Sequence, residues 1–161
     1  MDIFDDEILK LWRSLLNNRV DFIMIGGVAT NLHGFQRTTD DIDIWIKDSL
    51  ENRKNLRKAF KEYGLGDYKL LETIEFIPGW TDFYLDNDLR MDIMTSVKRL
   101  EKYGFDKSLE YASIATIYDL EIPFLHINQL IEAKKAANRP KDQVDIIELE
   151  EIKKLREDTT K

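Results

Sequence analysis

Residues 25–46 read IGGVATNLHGFQRTTDDIDIWI, and the rest of the chain is organised around this stretch. It holds a Gly-Gly turn leaving an apolar strand, a short helix, and a strand with acids at positions i and i+2. Residues i and i+2 of a strand project from one face, so Asp41 and Asp43 point together while Ile42, Ile44 and Ile46 fill the other. A core strand gains nothing from two adjacent carboxylates, which directs attention to something outside the fold that does.

Around that stretch the sequence reads as helices and strands in alternation. An amphipathic helix is expected over Asp2–Leu16, with Ile3, Phe4, Ile8, Leu11, Trp12, Leu15 and Leu16 at helical spacing. Asp21–Ile25 follows as a short buried strand. Gly26-Gly27 opens a helix over Val28–His33, with Gly34 placed to end it in the left-handed conformation. The carboxylate strand covers Asp41–Ile46, and a long helix covers Ser49–Tyr63 before Gly64 and Gly66. Strand-like runs at Thr73–Ile77 and Phe83–Leu85 flank Pro78-Gly79. The turn residues Asp86-Asn87-Asp88 lead into Leu89–Met94 (LRMDIM), which predicts a hairpin. Lys98–Tyr111 reads as a loop and a helical turn, and Ala112–Ile117 and Ile122–Leu125 as strands near the sheet edge. A helix from Asn128 to Ala137 and another from Lys141 to Arg156 close the chain, divided at Asn138-Arg139-Pro140. The order implies an α+β fold with a mixed central β-sheet flanked by helices, in a single domain over 1–161 whose C-terminal part is helical from about 127.

Composition narrows the class. The 161 residues suffice for a sizeable core, and no run approaches the length of a membrane span. The acidic start, MDIFDDEILK, lacks a secretory pattern, and the absence of cysteine removes disulfides and thiolate chemistry, so a cytoplasmic location is expected. A net charge of −7 argues against broad, non-specific nucleic-acid binding, although a small basic patch remains compatible with it.

Asp41 and Asp43 need a third ligand to hold a divalent cation, and Asp92 in RMDIM is the candidate, on a strand that can pair with theirs. Neighbouring strands lie roughly 5 Å apart, so three carboxylates can converge. Their mutual repulsion, a few kcal/mol per pair, is relieved by a proton or by a hard cation such as Mg²⁺. The plain alternative is a half-exposed sheet with solvent-facing acids. Gly26-Gly27 shifts the balance, because backbone N–H groups at a helix start hold phosphate. A glycine pair, a D-x-D fourteen residues later and an isolated strand Asp together describe a triphosphate beside carboxylate-bound metal.

With these residues in place, the chain resembles a minimal nucleotidyltransferase of the DNA polymerase β superfamily, in the branch that includes the AbiEii-type toxins. The matching pieces are residues 25–46, the strand LRMDIM, and HINQLIEAKKAANRPKDQVDIIEL at 126–149. The resemblance implies that Asp41, Asp43 and Asp92 are catalytic metal ligands for Mg²⁺ or Mn²⁺, and that Gly26 and Gly27 form the phosphate loop. It also implies that a lysine on the 128–137 helix faces the triphosphate, for which Lys134 is chosen. Arg37 and Thr39 join the nucleotide side, with Arg37 able either to contact phosphate or to pair with a local carboxylate. Much of the superfamily has Gly-Ser where this chain has Gly26-Gly27, leaving backbone donors only.

The implied activity is two-metal transfer of a nucleoside monophosphate from an NTP to an unknown acceptor: an RNA end, a protein side chain or a small molecule. The alternative is a catalytically inert nucleotide-binding or regulatory protein of the same fold, such as a toxin–antitoxin component with a partner protein. His33 is expected to make a structural hydrogen bond and Trp45 to be covered by a helix. Lys135, Arg139 and Lys141 complete the basic cluster around Lys134, for which a solvated helix face is at least as good a reading as a ligand-facing one.

Overall fold

A computed structural model describes residues 5–159. Six strands form one mixed sheet in the order β3-β4-β2-β1-β6-β5. In chain order the elements are α1 (Asp6–Asn17), β1 (Phe22–Ile25), α2 (Gly26–His33), β2 (Asp41–Ile46), α3 (Leu50–Tyr63), β3 (Asp82–Tyr84), β4 (Arg90–Met94), α4 (Gly104–Tyr111), β5 (Ser113–Ile117), β6 (Leu120–Phe124), α5 (Ile127–Ala137) and α6 (Pro140–Thr159). The α+β reading with a mixed sheet holds. Asp2, Ile3 and Phe4 of the expected first helix lie outside the described residues.

Register explains which face each side chain takes. β1 and β2 run antiparallel with Met24 opposite Ile44 and Ile25 opposite Asp43. The Met24–Ile44 face is apolar and buried, and Trp12 of α1 donates its indole N–H to Met24 Sδ across it at 3.4 Å. On that side α1 packs against α3, and Tyr63 of α3 donates to Glu7 at 2.6 Å. β2 and β4 pair in parallel with Asp43 directly opposite Asp92 and Asp41 opposite Arg90. One continuous face therefore carries all three acids. Trp45 shares it, buried against Phe105 of α4 at 5.5 Å in an edge-to-face contact, so a helix covers it as expected.

Two segments depart from the sequence reading. Thr73–Ile77 pairs with no strand. Its alternation is real, since Phe76 is buried while Thr73, Glu75 and Ile77 face water, but side chains take the Ile74 and Glu75 carbonyls. Arg53 of α3 donates to the Leu71 and Ile74 carbonyls at 3.1 and 2.6 Å and lies 4.9 Å over the Phe76 ring. The second is 104–111, a two-turn helix in place of a single turn.

At the C-terminal end, Asn138 sits in the left-handed conformation (φ 50°) and returns its N–H to the Lys134 carbonyl. Pro140 then takes the first position of α6, where its missing N–H removes a donor that no helix carbonyl would accept. The hinge folds α6 back on α5, and both contact α2 beside the acid face.

Candidate active site

Asp41, Asp43 and Asp92 each offer a carboxylate oxygen, and these oxygens lie within 4.8 Å of one another. Asp92 is buried, and the other two are half-buried. Arg90, which the sequence reading did not single out, holds the cluster together. Its guanidinium donates to Asp82 at 2.8 Å and Asp92 at 3.2 Å, and lies 3.8 Å from Asp41. Asp92 also accepts the Gly79 N–H at 3.3 Å. Burial, followed by the charges of Asp41 and Asp92, pushes the Asp43 carboxyl up to about 7, while Arg139 and Lys141 pull it down.

The glycine pair is sterically required. Gly26 has φ +66°, and the Asp43 carboxyl occupies the space of a Gly26 side chain, with Cγ 3.0 Å from the Cβ position. At Gly27 the same space is taken by Thr39, whose Cβ stands 2.8 Å from where another would be. Each glycine thus lies directly under a side chain of the cleft.

The α5–α6 wall is a buried ion network. Asp145, fully buried, accepts two bonds from Arg37 at 2.7 Å each and one from Lys134 at 2.8 Å. Asp142, also fully buried, pairs with Arg139 at 2.7 Å and lies 3.8 Å from Lys134. Burial alone would raise both carboxyls, but the hydrogen bonds and cations outweigh it and hold them below the usual range. The sequence reading offered Arg37 a phosphate or a carboxylate, and the carboxylate is remote in sequence. Asp142 and Asp145 escaped notice, although their i, i+3 spacing on the inward side of a helix is a visible signal. Lys141 lines the cleft, is exposed, and makes no ion pair among the described residues.

One cleft of about 530 Å³ joins these parts. Its lining includes every residue assigned from sequence: Gly26, Gly27, Arg37, Thr39, Asp41, Asp43, Asp92 and Lys134. His33 stands apart from it. Its Nε2–H donates to the Leu125 carbonyl at 2.8 Å and its Nδ1 accepts from Arg156 at 3.3 Å, which defines a neutral, structural imidazole. Burial, the dominant cause, lowers its pKa to about 4.

A strand–Gly-Gly–helix turn beside three converging carboxylates on a mixed sheet is a nucleotidyltransferase arrangement, and solved structures share its fold. The lincosamide antibiotic adenylyltransferase LnuA, bound to lincomycin, superposes with a TM-score of 0.60 at 15% identity over 94% of this chain and 99% of its own. ANT(2")-Ia in complex with adenylyl-2"-tobramycin gives 0.56 at 18% identity, covering 92% of each chain. A Thermotoga maritima protein described as a nucleotidyltransferase gives 0.55 at 18% identity over 95% of this chain and 90% of its own. No curated protein matches by sequence comparison. The chain belongs to DUF6036, the nucleotidyltransferases of unknown function, whose family profile matches residues 3–159.

Proposed function

We propose that the protein is an active nucleotidyltransferase that moves a nucleoside monophosphate from an NTP to an acceptor hydroxyl. The observation that carries this reading is the convergence of Asp41, Asp43 and Asp92 within 4.8 Å beside the glycine pair, inside one cleft. In the reaction an acceptor oxygen forms a bond to the α-phosphorus as the bond from that phosphorus to the α–β bridging oxygen breaks. The electron pair leaves with pyrophosphate, and the hydroxyl proton is lost to solvent.

The donor set suits a hard divalent cation: three carboxylates on one face, one proton held near neutrality, and a single arginine that offsets only part of the charge. Asp41, Asp43 and Asp92 would hold Mg²⁺ or Mn²⁺, in a two-metal site, which would supply Lewis-acid stabilisation of the phosphoryl charge. Gly26 and Gly27 bring backbone against the polyphosphate at the start of α2. Arg139 and Lys141 face it from the opposite wall. Arg37, Thr39 and Lys134 line the nucleotide side, with Arg37 and Lys134 kept in place by Asp145.

The Gly-Gly motif supports placement in the AbiEii-type branch; we place the protein in the cytoplasm as a single domain, and one observation favours a second reading. Thr39 occupies the place of a Gly27 side chain, so a serine hydroxyl could stand there only if Thr39 moved aside. An inert nucleotide-binding component of a toxin–antitoxin pair would tolerate that loss. Incubation with Mg²⁺, labelled NTP and cell extract separates the two. The enzyme labels an RNA, protein or metabolite fraction, and the Asp41→Asn and Asp43→Asn variants do not. Nucleotide binding without any labelled product would establish the inert reading.

A further inference from the structure

We propose that Arg90 is a built-in stand-in for the second divalent cation. It occupies the Asp92 half of the triad while no nucleotide is bound, and it turns aside before that half takes a metal. This rests on the transferase reading above and adds a control on how the metal site fills.

The three carboxylates are not equally free. Asp92 has both oxygens engaged, Oδ1 accepting the Gly79 N–H at 3.3 Å and Oδ2 accepting from Arg90 Nη2 at 3.2 Å. Asp41 has one oxygen near the same guanidinium, with Oδ2 3.8 Å from Nη1. Asp43, whose carboxyl lies against Gly26, accepts no side-chain hydrogen bond and makes no ion pair among the described residues. Any cation shared by Asp41 and Asp92 therefore competes with Arg90 for the same oxygens. A cation held by Asp43 and the other oxygen of Asp41 does not.

The other cations lining the cleft are differently placed. Arg37 and Lys134 are taken up by Asp145, and Arg139 by Asp142. Lys98 and Lys141 are exposed and make no ion pair among the described residues. Arg90 is the one cation in ion-pair contact with the triad among those residues.

The arginine is also held so that it can let go. Its shortest bond, from Nε to Asp82 at 2.8 Å, goes to a carboxylate outside the triad. Asp82 stands on β3, opposite Asp92 in the antiparallel register. A guanidinium carries five N–H donors in a planar fork, so one head group can serve three carboxylates and release two of them. Turning about the Asp82 bond gives up the 3.2 and 3.8 Å contacts and keeps the 2.8 Å one. The side chain is 31% exposed, so water satisfies the N–H groups it frees.

The sign of one effect separates this role from a structural one. A positive charge beside a cation site weakens it, so removing Arg90 should strengthen metal binding. An arginine that only held Asp92 in shape would weaken binding on removal.

Mn²⁺ is titrated into the protein by calorimetry, with free ion followed by paramagnetic resonance, with and without a non-hydrolysable ATP analogue. The parent is expected to hold one Mn²⁺ without the analogue and two with it. Arg90→Gln, checked for parental fold by circular dichroism, should hold the second Mn²⁺ without the analogue, about tenfold more tightly than the parent does. If that variant does not fold, the two stoichiometries of the parent decide alone. A parent that holds two cations without nucleotide, or one with it, overturns the role of Arg90 and leaves the transferase reading standing. Unchanged or weaker Mn²⁺ binding in folded Arg90→Gln does the same. A parent that binds neither Mn²⁺ nor the analogue overturns the transferase reading, and the role of Arg90 with it.

Discussion

Thr39 stands in the space that a side chain on Gly27 would need, its Cβ 2.8 Å from the position where another Cβ would sit. The two positions are coupled, and neither can be changed as if the other were absent. Gly27→Ser should displace Thr39 and lower stability by about 1–3 kcal/mol. Gly27→Ser combined with Thr39→Gly should be more stable than the sum of the single effects allows. Thermal melts of the four-member cycle measure the coupling, and strict additivity would refute it.

The cations of the cleft divide into two kinds. Lys134 is buried between Asp142 and Asp145, so Lys134→Met leaves two acids short of a partner and should destabilise by about 3–5 kcal/mol. Lys141 is exposed and makes no ion pair among the described residues, so Lys141→Gln should leave the melting temperature unchanged and weaken nucleotide binding about tenfold. Denaturant melts and calorimetric titration check the pair. A Lys134→Met variant of parental stability would contradict the network.

Two groups oppose each other in pH. His33 has a folded pKa of about 4, below its usual 6.5, so its contribution is complete above 6.5 and falls away as pH drops toward 4. That change is about 3 kcal/mol at most. Asp43 has a folded pKa of about 7, above its usual 3.8, so the metal-free fold loses stability as pH rises through that interval. The slopes counteract each other between pH 4 and 6.5. Asp43→Asn should expose a stability that rises with pH, and His33→Gln one that falls. Saturating Mg²⁺ should make the parent resemble Asp43→Asn. Chemical melts at several pH values decide it, and identical profiles for all three proteins would refute the opposition.

Neutralising the triad should separate stability from activity. Metal-free Asp41→Asn and Asp43→Asn should be as stable as the parent or slightly more so, because crowded carboxylates repel. Transfer of labelled nucleotide should fall by orders of magnitude in both. A variant that loses stability without metal would show that the acids hold the fold and not a ligand.

The triad was legible because period-two alternation fixes which face Asp41, Asp43 and Asp92 take, and pairing of their strands does the rest. The glycine pair was legible as a strand-to-helix turn, but the atoms above it, Asp43 and Thr39, were not. That depends on how deeply β2 and its preceding loop seat against α2. Arg90 looked like an ordinary strand residue, and only the register opposite Asp41 makes it the counter-charge. Asp145 gives no local hint of its partner Arg37, which lies 108 residues away. The strand expected at Thr73–Ile77 failed because Arg53 takes the Ile74 carbonyl and Thr81 takes that of Glu75.

The parallel register of β2 and β4 has a consequence in time. Parallel strands need a long crossover, so Asp92 meets Asp43 only after the chain between them has closed. An incompletely assembled sheet holds no three-acid cage. Divalent cations should therefore act on the finished protein as a brake on its escape, lengthening its unfolding lifetime while leaving the rate of assembly nearly unchanged.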